Sequence, residues 1–435
     1  MTALLERIFL LKENNTNVKT EIFAGITTFM TMAYIIFVNP SIISATGMPI
    51  EAVMIATAIS AAFGTLCMAF FANYPFALAP GMGINAYFTY TVVLKMGLSW
   101  QQALGTVFVS GIIFLILSVT KVRETIINSM PKNLKLAISA GMGLFIALLG
   151  MESAGIVVNS QAILVDLGDL TAPTTLLALF GIIITIVLMA RDIKGAILIG
   201  IMATTLIGIP FGIVELPEAI IKAPTFASWE PIFFKADIMG VLNLGLLPVI
   251  FSFLFVDIFD TAGTLIGVSQ QAGFLDKDGN LPKVNRALLA DSVGTMAGAL
   301  MGTPTVTTYV ESATGVAQGG RTGLTGVTAA FCFLLSIFFT PLVAIVPAAA
   351  TAPALIIVGS LMMKNAIYID WDKVTEAIPA FITLIAIPFT YSITNGISLG
   401  FIIYPIVKYL HGEGKDVHWI ITLFGFLFIL KYIYM

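Results

Sequence analysis

The feature that most constrains this chain is a succession of long apolar runs separated by short polar or basic turns. A helix needs roughly 20 mainly apolar residues to cross the hydrocarbon core of a bilayer. In lipid the backbone must satisfy its own hydrogen bonds, which restricts what can span. Such runs lie near residues 20–40, 51–72, 76–94, 101–120, 133–151, 173–190 and 194–212. A second series lies near 240–267, 286–303, 305–318, 322–346, 350–364, 374–391 and 395–411. The expected fold is therefore an all-α membrane protein of fourteen spans, numbered 1 to 14 in that order. Charged residues make up 10% of the chain, against about 25% in soluble domains. The more polar stretch 213–237, with Pro217, Pro224 and Pro231, separates the two series. A last apolar run, 417–434, is short, and the pattern leaves open whether it crosses.

Basic residues give the orientation. With the N-terminus in the cytoplasm and strict alternation, all of the 21 Lys and Arg fall inside except Lys95, Lys222, Lys235 and the unassigned Lys431. That is the bias expected for cytoplasmic loops. The first twenty residues lack the order of charge, apolar core and cleavage site of a signal peptide. Cys67 and Cys332 lie in apolar runs and read as buried small hydrophobes rather than a disulfide framework. The net charge of −3 offers no argument for nucleic acid. GMGINA lacks the βαβ context of a dinucleotide site, and DKDGN at 276–280 lacks the remaining ligands of a calcium loop. His411 and His418 lie far in sequence from the acids described below, so no metal site, cofactor or His-based triad is expected.

The two halves resemble each other. A shift of 230 residues lays Gly64-Thr65 on Gly294-Thr295 and Ala69 on Ala299, and RDIKGAIL around Gly195 is similar to SITNGISL around Gly396. Seven spans per half, an odd number, make the repeats inverted, which is a transporter signature with the site at the midplane. The units are 1–213, an external connector 214–239, 240–412, and a C-terminal apolar segment 413–435. Spans 3 and 10 carry the breaks. PFALAPGMGINAYFTY holds Pro75, Pro80, Gly81 and Gly83, and GTPTVTTYVESATG holds Pro304 among Thr305, Thr307 and Thr308. Proline removes a helical donor, and glycine and β-branched residues weaken helix continuity. Each segment is expected to begin extended and to become a half-helix midway, with the beginnings near Gly83 and Ser312 aiming free N–H groups at a bound solute.

Acids interrupt spans 8, 9 and 10. A charge at the bilayer centre costs about 2.5–3.5 kcal/mol on insertion scales and is there for function by default. Asp257 and Asp260 in FLFVDIFDTAGTL are three apart and share one helical face with Thr261 and Thr264. The alternative is a polar cluster that packs helices. Glu311 in TTYVESATG can accept two N–H donors from a planar heterocycle; the alternative is a half-helix cap with no solute contact. Asn85 offers donor and acceptor together, or else bridges helices. Asp291 in LLADSVGTMAG suits a structural or proton-relay role. Tyr87, Phe88, Phe259 and Tyr309 can stack on a base, in a chain with 11% aromatic residues.

The runs NVKTEIFAGITTFMTMAYIIFVNP, APGMGINAYF, FVDIFDTAGTL and ESATGVAQGGRTGLTGV resemble the AzgA-like purine permeases of the nucleobase–cation symporter family, over nearly the whole chain. The resemblance implies two inverted seven-span repeats forming a core domain (spans 1–4 and 8–11) and a gate domain (5–7 and 12–14), with short strands of spans 3 and 10 crossing near the site. It implies proton-coupled uptake of hypoxanthine, guanine or adenine across the cytoplasmic membrane, by a homodimer. It places substrate contacts on Asn85, Gly83, Asp257 or Asp260, and Glu311, and an acid of span 9 on Asp291. The proton would ride on Asp257 or Asp260, relayed by Asp291. Rival readings are a uracil or xanthine symporter, an anion transporter of the same fold, an intramembrane enzyme and a channel. The anion reading wants a basic or neutral site, whereas acids dominate here.

Overall fold

A computed structural model describes residues 2–120, 129–160, 164–217, 219–243, 246–275 and 281–434. Among them, eight helices are long and apolar enough to cross a membrane. Those are spans 1 (Val18–Thr46), 2 (Ile50–Phe71), 4 (Trp100–Val119), 5 (Lys132–Ser153), 6 (Pro173–Ala190), 11 (Gly323–Ala344), 12 (Ala348–Tyr368) and 14 (Ile393–His411). Spans 7 (Ala196–Gly208), 8 (Leu247–Ala272), 9 (Val284–Met301) and 13 (Val374–Phe389) are helices of 13 to 26 residues. Spans 3 and 10 are built differently. Strand β1 (Leu78–Pro80) leads into a half-helix, Met82–Ala86, that continues as a π-helix over Tyr87–Lys95. An exposed hairpin of β2 (Val157–Ser160) and β3 (Leu164–Leu167), which the apolar pattern does not reveal, joins spans 5 and 6. Strand β4 (Val306–Thr308) leads into the half-helix Ser312–Ala317.

β1 and β4 pair antiparallel, Leu78 opposite Thr308 and Pro80 opposite Val306. Two further backbone bonds, Gly81 N–H to Thr305 O (3.0 Å) and Tyr309 N–H to Ala77 O (3.0 Å), extend the pairing. Extended backbone at this depth is stable only when its polar groups find protein partners. The remaining groups do so through hydroxyls. Thr65 Oγ1 donates to Leu78 O (3.1 Å) and accepts from Leu78 N–H (2.9 Å), while its repeat counterpart Thr295 donates to Val306 O (3.3 Å). Gly64 and Gly294, also repeat counterparts, allow spans 2 and 9 to close over β4: a methyl on Gly64 would lie 2.8 Å from Val306 Cγ1. The inverted duplication is thus written into the packing, because the same Gly-Thr pair supports a crossing strand in each half.

Helix packing falls into two groups. Spans 2, 4, 9 and 11 pack on one another, with span 11 also against span 1. Span 5 packs on spans 12 and 13, span 6 on spans 7 and 12, and span 13 on span 14. Glycine–threonine contacts recur in the second group. Methyls on Gly200 and Gly400 would lie 2.0 Å and 2.1 Å from the hydroxyls of Thr185 and Thr383, which joins span 7 to span 6 and span 14 to span 13. Close approach over small residues is how helices associate where lipid is as apolar as leucine.

The run at 417–434 forms a helix, Trp419–Tyr434. It lies antiparallel along span 14: Thr422 meets Tyr409 at one end (3.0 Å), and Tyr432 donates to Asn395 at the other (3.1 Å). Phe424 and Phe428 lock it through rings 4.5 to 6.2 Å apart to Phe251, Phe255 and Phe401 of spans 8 and 14. The helix therefore packs along span 14 from Tyr409 to Asn395.

Candidate functional site

At the crossing of β1 and β4 the acids of spans 8 and 9 come together, and Glu311 of span 10 and Asp260 both lie near Tyr309. Span 8 contributes Asp257 and Asp260 from its middle. Asp257 is 1% exposed, and Asp291 of span 9 is fully buried. Thr261, one turn beyond Asp257, ties them. Its hydroxyl lies 3.1 Å from both carboxylate oxygens of Asp291, 3.4 Å from Asp257 Oδ1 and 2.9 Å from the Thr307 hydroxyl on β4. A threonine hydroxyl carries one proton, so it serves one carboxylate while accepting from Thr307. A methyl on Gly81 would lie 2.9 Å from Thr307 Cγ2 and 3.2 Å from Asp260 Oδ2. Glycine there lets Asp260 reach the loop between β1 and its half-helix. Asp257 and Asp291 thus meet at the Thr261 hydroxyl, while Asp260, which also lies within the field of Asp291, reaches the crossing.

Glu311 is the N-cap residue of the half-helix Ser312–Ala317, yet its side chain makes no capping bond. Tyr34, fully buried where span 1 turns, donates to Glu311 Oε1 at 2.5 Å. The half-helix is pressed against span 1, because a methyl on Gly315 would lie 2.0 Å from the Thr28 hydroxyl, and Thr314 meets Thr31 at 2.9 Å. Tyr309 is held over the crossing by its hydroxyl, which donates to Pro80 O at 2.5 Å.

Asn85 sits in the span 3 half-helix, fully buried. Its amide N–H donates to Asn39 Oδ1 at 2.6 Å, and the Asn39 amide donates to Thr57 (2.7 Å) and Thr303 (3.1 Å). The helix-bridging alternative therefore accounts for the donor half of Asn85. Its Oδ1 is a buried acceptor with no hydrogen-bond partner among the described residues. A buried polar atom of that kind asks for an explanation, such as a ligand. Gly83 faces the second packing group, 3.4 Å (from a notional methyl) to Met142 Sδ of span 5 and 3.7 Å to Ile393 of span 14. The half-helix begins at Met82, with Gly81 as its N-cap residue. Ser312 is turned inward: its hydroxyl accepts from Ala77 N–H (3.0 Å), so it braces β1. The side chain of Phe259 lies outside the described residues, and Phe88 is fully buried core.

Sequence spacing alone does not reach Tyr34, Asn39 or Thr307. Tyr34 and Asn39 are polar positions in a run otherwise rich in apolar residues, MAYIIFVNP, which is the one local signal they give.

Residues 19–399 match the Permease family. The chain is 56% identical over 431 residues to a putative permease of Methanocaldococcus jannaschii, covering 99% of this chain and 98% of that one. It is 46% identical to the guanine/hypoxanthine permease PbuO of Bacillus subtilis (98% and 99% covered) and 44% identical to the adenine permease AdeP of Escherichia coli (100% and 97%). Among solved structures, the transmembrane domain of the cyanobacterial bicarbonate transporter BicA superposes with a TM-score of 0.62 at 18% identity, covering 88% of this chain and 96% of that one. At that identity the likeness concerns the fold: two repeats arranged as core and gate.

Proposed function

The chain belongs to the Permease family, a multi-pass membrane transport protein rather than an enzyme, and from that membership we propose that it imports purine nucleobases by proton symport. The observation that carries the reading is Glu311, a carboxylate that forms no ion pair among the described residues. Its carboxylate stands at the start of a half-helix, is oriented by one tyrosine hydroxyl, and faces a crossing that also holds Asp260. Such a group accepts N–H donors from the edge of a neutral heterocycle. Asn85 Oδ1 adds a second acceptor, and Tyr309 a ring beside the crossing. Adenine, guanine and hypoxanthine all present N–H groups along one edge, and the relatives' names, adenine permease and guanine/hypoxanthine permease, agree with that chemistry.

In this reading Glu311 and Asp260 or Asp257 hold the base. The proton rides on Asp257 or Asp260 and is relayed by Asp291 through Thr261, which touches Asp257, Asp291 and Thr307. Alternating access moves spans 1–4 and 8–11 against spans 5–7 and 12–14, with Gly83 sliding past Met142 and Ile393 at the joint. Ser312 acts by bracing β1. The protein works as a homodimer in the cell membrane with its N-terminus cytoplasmic. Transport of an anion such as bicarbonate, for which BicA is named, fits poorly, because carboxylates at the crossing repel an anion.

The test is uptake of radiolabelled hypoxanthine by cells lacking their own purine permeases, with adenine and guanine as competitors and with a protonophore. Saturable uptake that the protonophore abolishes is the expected result. Inserted protein that carries no hypoxanthine, adenine or guanine defeats the reading and turns attention to uracil or xanthine. Purine uptake indifferent to the protonophore removes the proton alone.

A further inference from the structure

A cavity of about 200 Å³ opens where the ends of spans 3, 8 and 14 meet the end of the C-terminal helix. Tyr87 and Thr91 of span 3, Ser252 of span 8, Thr394 and Asn395 of span 14, and Tyr432 line it. Among the described residues Lys95 is the charged one of the lining, and none of them is a carboxylate. All these ends share one membrane face in the alternating topology, the face opposite the basic loops.

The cavity lies on the way to the acids. Tyr87 follows Asn85 by two residues and is wedged edge-on against Phe253, with ring centroids 5.0 Å apart. Ser252 precedes Asp257 by five residues on the same helix, about 7.5 Å at 1.5 Å per residue. Spans 3 and 8 form one wall, and span 14 with the C-terminal helix forms the other, so the cavity sits in the joint between the two packing groups. Its outer wall is closed by the Tyr432 hydroxyl donating to Asn395 Oδ1 at 3.1 Å. Tyr432 lies beyond residue 399, where the family match ends.

We propose that this cavity is an entry subsite, which takes a planar, uncharged heterocycle before it reaches the acids, and that Asn395 and Tyr432 set what it admits. The lining suits that class. Tyr87 and Tyr432 supply ring faces, Asn395 supplies an amide that pairs with an edge carrying donor and acceptor side by side, and the hydroxyls of Thr91 and Ser252, which donate to Tyr391 O (3.1 Å) and Pro248 O (2.8 Å), add acceptors. The volume is below the roughly 300–1,000 Å³ of drug-sized sites, which favours a bare base over a nucleoside or nucleotide. Without a carboxylate the subsite binds independently of proton loading. The C-terminal helix, which a simple two-repeat scheme leaves without a purpose, becomes part of the entry path. The identification of the heterocycle as a purine rests on the transport reading above; the subsite itself does not.

The test uses the full chain with Asn395→Cys in a Cys67→Ala, Cys332→Ala background, labelled in whole cells by a membrane-impermeant thiol reagent. Adenine or hypoxanthine is expected to slow labelling several-fold, and to do so equally when Glu311→Ala has disabled the deeper site. Protection that disappears with Glu311→Ala, or that never occurs, overturns the subsite. Tyr432→Phe and Asn395→Ala supply the kinetic arm. The KM for uptake should rise about five- to tenfold while the maximal rate stays within about twofold, as expected when ground-state and transition-state contacts are lost together. An unchanged KM, or a fall in maximal rate alone, argues for a merely structural helix contact and against the proposal. Failure of the transport reading looks different, because the unaltered protein would then take up no purine, while adenine could still protect Asn395→Cys.

Discussion

Two glutamates stand at the beginnings of neighbouring helices, and their surroundings differ sharply. Glu21 of span 1 is fully buried against the start of span 11. It accepts the backbone N–H groups of Arg321 (2.9 Å), Thr322 (3.3 Å) and Thr325 (3.2 Å) and the Thr325 hydroxyl (2.6 Å). Glu311 stands at the start of the span 10 half-helix, caps nothing with its side chain, and among the described side chains is oriented by Tyr34. A carboxylate at a helix N-terminus is favoured by the unpaired amides and the dipole. Glu21 uses that advantage fully and becomes a structural joint between spans 1 and 11. Glu311 keeps acceptor capacity in reserve, and that is what a binding group needs. The same residue type at the same kind of position is thus sorted by how many of its lone pairs the protein itself fills.

The sharpest way to break this contrast is to remove each group. Glu311→Ala should lower purine uptake efficiency by about 100-fold or more, since two charge-assisted hydrogen bonds are worth about 1.5–3 kcal/mol each. The amount of inserted protein should stay normal; saturable uptake at the normal level would erase the distinction. Glu21→Ala should do the reverse. Leaving three buried amides unpaired at about 1–3 kcal/mol each should cost about 3 kcal/mol or more of stability, seen as earlier thermal aggregation in detergent. The KM of the protein that survives should be unchanged, and a raised KM would mean that Glu21 also shapes the site.

Tyr34→Phe tests whether the single hydroxyl matters. Removing a bond to a charged group, about 1.5 kcal/mol, should raise the KM about tenfold with little change in thermal stability. Thr261→Val keeps the shape and deletes the hydroxyl between Asp291 and Thr307. It should weaken the dependence of uptake on the proton gradient more than it weakens base binding, measured as competition by unlabelled base at fixed pH.

The smallest effect belongs to a third acid, Glu413, which is paired with two lysines. At the end of span 14, buried Lys408 lies 2.6 Å from Glu376 and 2.5 Å from Glu413, and Lys373 lies 2.9 Å from Glu413. Lys408, and then Lys373, hold the Glu413 carboxyl down at about 2. A depressed carboxylate contributes stability that is complete above its unfolded value, near 4.3, and that fades as the pH falls toward the folded value. Glu413→Gln should therefore melt slightly earlier than the unaltered protein at pH 7, and the gap should shrink steadily below about pH 4. A gap that persisted at the lowest pH would assign the loss to packing.

Much of the fold can be read from the sequence, because crossing a bilayer is a local demand. Length and apolarity of each run decide where spans 1, 2, 4 and 14 begin and end, and Pro80, Gly81 and Pro304 mark where spans 3 and 10 must break. The acids announce themselves for the same reason, since Asp257, Asp260, Asp291 and Glu311 each interrupt a run that lipid would keep apolar. What each acid touches is not a local matter. Glu311 finds Tyr34 277 residues away, Glu21 finds Thr325 304 residues away, and Asn85 spends its donor on Asn39. No spacing rule separates Glu21, a joint, from Glu311, a candidate ligand. The short apolar tail is alike undecided until Tyr432 meets Asn395 and Thr422 meets Tyr409. The sequence by itself determined where the fourteen spans lie and which polar groups they carry inward, because the bilayer judges each segment alone. Tertiary structure decided which of those groups the protein itself satisfies and which keep acceptor capacity open, because hydrogen-bond saturation depends on partners brought in from distant parts of the chain.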